Sequence, residues 1–335
     1  MRIPPTLLAF VLCLAPACAE DPPPEVRKPA DAVLAAAAFE AEGDTYAVGG
    51  GAAWKKAGTG WEFVKVLYDP DFFAKHYERR GDTVFRRGDD GRMWEVGRTF
   101  RCDFEGVATL PELVGPTHRW TGLTLQSPRA KSVAEYVALR KKVLTAGAPF
   151  LDNRVEPSTA RAHGGKTALR THSVAATSDM VCAKASLDTE FLHFVQGDHV
   201  WISAWFLVED RLPLTLVDLE SSWIDQYPGI RLMFSGNGLG FELKWGTKPK
   251  WFPKERVDFP IGRWVHVVAH IQLDTRNGTV QLWQDGRRTV EGKGQTLPIA
   301  EAIVNNLEVG ISATQVESTV WVDDLVVRDT DPRTK

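Results

Sequence analysis

A chain of 335 residues, 44% hydrophobic and 25% charged, can bury a sizeable core and is not a disordered polymer. Its formal charge of -3 leaves no basic footprint for nucleic acid. The 12 tryptophans are unusual: indole is costly in water unless it packs or stacks, which suits a large β core, a sugar-stacking surface or both.

Taken in order, the N-terminus reads as an export signal. Met1-Arg2, the apolar run Leu7 to Leu14 and the small residues Ala17 and Ala19 predict cleavage after Ala19 and a secreted or periplasmic protein. Lipid attachment at Cys18 is the weaker reading, because Ala15 and Pro16 fit a lipobox poorly. No later stretch has the roughly 18 consecutive apolar residues of a membrane span. Once residues 1–19 are removed, Cys102 and Cys182 remain. They are either one disulfide or two separate buried thiols, since sequence gives no Cα separation.

Residues 20–147 form an N-terminal region whose signals are short and mixed. Asp31 to Glu42 is Ala-rich and helix-prone. Trp61 to Tyr68 alternates like a strand, and Gly88 to Gly91 joins two strand candidates as a hairpin. Asp89 and Asp90 in that turn admit calcium, although acidic turns are usually only turns. Ser132 to Ala146 predicts a helix with a Ser132/Glu135 capping box and a Gly147 stop, linking the two halves.

Residues 148–331 are a succession of strand candidates: 166–172, 200–208, 229–235, 239–245, 265–273, 279–284, 306–311 and 319–327. Val200, Ile202, Ala204, Phe206 and Val208 face one way while Trp201, Ser203 and Trp205 face the other. In 261–290 the apolar set Val265, Val267, Ala269, Ile271 and Leu273 alternates with Trp264, His266 and His270. Asn277-Gly278 and Asp285-Gly286 follow as turns. The expected fold is mostly β: a C-terminal antiparallel β-sandwich (jelly roll), a smaller N-terminal α+β region and a linking helix.

The order GKTALR (Gly165 to Arg170), GDHVWISAWFLVED (Gly197 to Asp210), IGRWVHVVAHI, GTVQLWQDGRR (Gly278 to Arg288) and VWVDDLVV (Val320 to Val327) resembles the concanavalin A-like, laminin-G-like jelly rolls. Polysaccharide lyases of the heparin lyase I type are the nearest in pattern. The resemblance covers the C-terminal half only and implies a polysaccharide partner. It also implies β-elimination, in which a cation quenches a uronate, a base takes the C5 proton and an acid protonates the leaving oxygen. The family's Gln and His are missing from Leu216 to Trp223 and its late-strand Tyr from Leu307 to Ile311. Lyase chemistry would therefore run through substitutes: Tyr227 or His193 as base and Arg231 as neutraliser, with Lys184 and Glu190 completing a polar groove. A binding module would instead stack sugars on Trp201, Trp205, Trp264 or Trp283, with Arg231, Lys244, His266 and His270 as polar contacts. His266 and His270 lie about 13 Å apart by strand rise, too far for one metal. Asp285 and Asp323-Asp324 admit a structural calcium or are plain acidic turns. A non-catalytic envelope protein is the third reading.

Overall fold

The computed structural model describes residues 26–333 except 37, 42–43, 89–90, 116, 129–134, 136–137, 140, 144–151, 178–181, 226 and 245–249. The expected signal sequence, Cys18 and Asp89-Asp90 lie outside the described residues. So does most of the Ser132 to Ala146 helix, of which 135, 138–139 and 141–143 are described as helical.

The N-terminal region is built from two small antiparallel meanders. α1 (Asp31–Ala36) precedes β1 (Phe39–Ala41), β2 (Asp44–Gly49), β3 (Ala52–Ala57) and β4 (Gly60–Val66), which pair in sequence order. α2 (Phe72–His76) leads into β5 (Tyr77–Arg80), β6 (Thr83–Arg87) and β7 (Met93–Val96), a three-stranded sheet that includes the hairpin expected around Gly88. The expected helix over Asp31 to Glu42 shrinks to α1. Only Leu34 of α1 is buried, so there is little apolar contact to hold a longer helix.

The rest is a two-layer sandwich. Its strands are β8 (Phe100–Cys102), β9 (Gly122–Gln126), β10 (Arg154–Ser158), β11 (Ala168–Ser173), β12 (Ala183–Thr189), β13 (His199–Val208), β14 (Thr215–Glu220) and β15 (Gly229–Ser235). They are followed by β16 (Gly238–Leu243), β17 (Lys250–Trp251), β18 (Trp264–Gln272), β19 (Gly278–Gln284), β20 (Arg287–Gly294), β21 (Asn306–Thr314) and β22 (Ser318–Arg328). The short helix α3 (Leu110–Leu113) lies between β8 and β9. One sheet of eight runs β10-β11-β22-β13-β18-β19-β20 with β8 also on β22; the other, of seven, runs β17-β16-β15-β14-β21-β12-β9. The molecule is mostly β, as the alternation predicts.

The inward faces expected for β13, β15 and β18 are those that pack. Val200, Ile202, Ala204, Phe206, Val208, Ile230, Leu232, Phe234, Val265, Val267, Ala269 and Ile271 all join one core cluster. Two expectations are corrected. β8 and β9 precede residue 147 yet pair with β22 and β12, and Phe100, Phe104, Trp120 and Leu123 sit in the same core. The sandwich therefore draws strands from both sides of the expected boundary. The turn after β18 is not a two-residue Asn-Gly turn, since neither Asn277 nor Gly278 has positive φ. Asp274 Oδ1 accepts the N–H groups of Arg276 and Asn277, both at 2.7 Å, and closes a longer loop. Gly278 is needed there for space, because a Cβ would meet Thr296 Oγ1 at 1.9 Å. Asp285-Gly286 does form the tight turn, with φ of 48° and 79°.

Candidate functional site

The outer face of the seven-stranded sheet carries a ladder of charges. In β14, Val217 and Leu219 enter the core while Asp218 and Glu220 point away from it. In register, Asp218 lies opposite Arg231 of β15 and Glu308 of β21, and Arg231 lies opposite Glu242 of β16. Glu242, Arg231, Asp218 and Glu308 thus form one row across four strands. Lys244, just past β16, bonds Glu220 and lies 3.5 Å from Asp218. Lys184 of β12 stands 3.8 Å from Glu308, and Arg231 Nε donates to Glu242 at 2.7 Å.

Neutral donors tie the carboxylates down. Ser312 Oγ donates to Asp218 at 3.2 Å, Asn306 Nδ2 to Glu220 at 3.0 Å and Thr124 Oγ1 to Glu308 at 3.0 Å. The result is layered: the side chains of Lys244, Lys184 and Arg231 are 16%, 20% and 24% exposed, against 2% for Asp218 and Glu220. Anions lie beneath and cations above. Burial, then the nearby Glu308 and Asp218, push the Glu220 carboxyl up to about 7 against the pull of Lys244. Burial works against the charge of Lys244, but Asp218 and Glu220 outweigh it and its pKa rises. Both values rise, which favours a neutral carboxyl on Glu220 and a charged ammonium on Lys244. A lysine shared by two carboxylates stays charged, and the proton is carried by the carboxylate with the most acidic neighbours.

Of the residues expected from sequence, Arg231, Lys244 and Lys184 come together here. Tyr227 does not join them: it is 56% exposed, with φ of 48°, in the turn ahead of β15. His193 packs instead against Phe73 and Tyr77 of the N-terminal region, its Nδ1 without a hydrogen-bond partner among the described residues. Burial, with Arg79 and Arg98 nearby, pulls its pKa down to about 4. Glu190 bonds Arg86 and accepts from Ser222. Sequence reading missed Asp218, Glu220, Glu242 and Glu308 as site residues. Their signal was the alternation of Val217 and Leu219 with Asp218 and Glu220.

The aromatic set occupies the outer face of the other sheet, and the chain itself covers much of it. Trp201 stacks on His270 with ring centroids 4.1 Å apart, Trp283 lies beside it at 5.7 Å, and Arg333 sits 3.7 Å over Trp283. His163 stacks on Trp205 at 3.7 Å and meets Trp264 edge-on. His266 bonds Ser203 at 2.9 Å and His270 bonds His199 at 2.8 Å.

Cys102 and Cys182 are free thiols. Cys102 lies on β8, in the eight-stranded layer, and accepts from Trp120 Nε1 at 3.4 Å. Cys182 immediately precedes β12, in the other layer. The disulfide reading is thus replaced by the two separate thiols. Among the described residues no group of three or more His, Cys, Asp or Glu has the geometry to hold a metal ion. Asp323 accepts the N–H groups of His163 and Gly164 at 2.8 and 3.1 Å, Asp324 bonds the His163 ring, and Asp285 caps His266 N and Arg263. No described helix is long and apolar enough to cross a membrane.

No family model and no curated protein matches the chain. Among solved structures, a cellulose-induced protein, Cip1, aligns with a TM-score of 0.44 and 14% identity over 67% of this chain and 97% of that one. An endo-β-1,4-glucuronan lyase from the fungus Trichoderma reesei gives 0.43 and 14% over 63% and 96%. The alginate lyase Aly36B gives 0.40 and 11% over 70% and 97%.

Proposed function

We propose that this is an exported polysaccharide-recognising protein that takes an acidic glycan across the outer face of its seven-stranded sheet. The observation that supports this reading is the layering of Lys244, Lys184 and Arg231 over buried carboxylates. Each cation is fixed from below yet keeps N–H donors for a ligand, since an ammonium has three and a guanidinium five. Carboxylate groups along a uronate chain would meet them with charge-assisted hydrogen bonds.

A second reading, elimination by a polysaccharide lyase, has one specific observation in its favour. Glu220, with a carboxyl near 7 but covered by Lys244, could act only indirectly, by exchanging a proton with a group above it, beside the cation that would quench a uronate. The purified protein, incubated with a panel of acidic polysaccharides, tests both. Retardation in a gel containing one of them, lost in Lys244→Ala and Arg231→Ala, is the expected result. Growth of the ultraviolet absorbance of an unsaturated uronate, abolished in Glu220→Gln, would add the catalytic step. Absence of both would leave the charge ladder a structural network and favour the non-catalytic envelope protein.

A further inference from the structure

A second groove, of about 550 Å³, opens where β17, at the edge of one sheet, meets β20, at the edge of the other. Its walls include Trp251, Phe252, Lys254, Glu255, Arg287 and Arg288. The volume lies in the range of about 300–1,000 Å³ typical of small-ligand sites. Trp251 forms an aromatic shelf. A Cβ at Gly292 of β20 would meet the indole at 2.1 Å, so only a glycine lets the ring lie this close to the strand backbone. The ring remains partly exposed. Arg288 pairs with Glu291 at 3.2 Å, whereas Lys254 and Arg287 have no ion-pair partner among the described residues. Neither cation belongs to the Lys244 ladder.

An aromatic plane beside two uncommitted cations is what a sugar ring bearing a carboxylate requires. The ring's C–H face stacks on indole, the carboxylate pairs with guanidinium or ammonium, and an acceptor such as Glu255 accepts a hydrogen bond from a sugar hydroxyl. We infer that the β17/β20 groove is a second binding site for an acidic oligosaccharide, separate from the charge ladder. The ligand class rests on the reading above; the site itself does not. Two sites on one chain would raise avidity for a long polysaccharide by holding two of its segments at once.

Calorimetric titration of the full chain with trisaccharides of galacturonate and of mannuronate tests this. Two binding events are expected for at least one of them. The double variant Lys254→Ala/Arg287→Ala should weaken one event at least tenfold, and Lys244→Ala should remove the other. Both exposed substitutions should leave near-ultraviolet dichroism unchanged. If the double variant binds as the parent does, or if a neutral galactose trisaccharide binds the groove equally well, the inference fails. If only the double variant loses binding and Lys244→Ala changes nothing, the groove stands and the ladder reading falls. A parent chain that binds neither uronate overturns both.

Discussion

His193 shows what one buried side chain can do to acid stability. It is held neutral with a pKa of about 4 against an ordinary value of 6.5, so between those values the unfolded chain binds a proton that the folded chain refuses. Stability from this group is intact above about pH 6.5 and lost as pH falls toward 4, by up to about 3 kcal/mol. Melting temperatures of the parent and of His193→Gln across that window should converge as pH falls. Equal acid sensitivity of the two proteins would refute the assignment. Glu220 behaves in the opposite sense. Its folded value of about 7 lies above the ordinary 4.5, so its contribution is intact below 4.5 and lost as pH rises through 7. Lys244→Met leaves Asp218 and Glu220 without their shared cation. It should cost about 3 kcal/mol near pH 8 and clearly less near pH 5, read from urea midpoints.

Asp323 and Asp324 sit where the neighbour of β22 changes from β11 to β8. Asp324 has φ of 51° and the register with β13 shifts there, the geometry of a β-bulge that re-aims side chains. Asp323, fully buried, spends its carboxylate on the His163 and Gly164 amides. Asp323→Ala should therefore cost about 1–3 kcal/mol and free residues 159–167, seen as faster amide exchange there with the rest of β22 protected. The sequence pattern exposed β22 as a strand but left its acidic pair open between metal ligand and turn. Only the position of the 163–164 loop decides that, and a loop's return path leaves no periodic trace. The same limit hid β14. Val217 and Leu219 alternate with Asp218 and Glu220 over too short a stretch to mark a strand, and the cation that covers the two carboxylates, Lys244, lies 24 positions from Glu220. The reading of β13 and β18 succeeded because Trp264, His266 and His270 alternate with an unbroken apolar set.

The N-terminal meanders are joined to the sandwich rather than tethered beside it. Tyr77, Val84 and Val96 share a cluster with Phe191, while Tyr46, Ala53 and Leu67 enter the main core. Phe191→Ala opens a cavity at the first joint and should cost about 3–5 kcal/mol. Denaturation followed at Trp94, which packs edge-on against Phe191, should then precede loss of the sandwich signal. The boundary expected near residue 147 failed for the same reason. Local pattern marks strands but not their partners: β9 finds its partner β12 about sixty residues on, and β8 finds β22 more than half a chain away. That separation carries a consequence for how the protein is made. β22 is the last of the described strands, yet it lies inside its sheet, bonded to β13 on one side and to β11 and β8 on the other. The eight-stranded sheet cannot be completed until the ribosome has released that segment. Folding of such high contact order is slow. A nascent chain halted before Ser318 should accordingly remain sensitive to protease along most of its length.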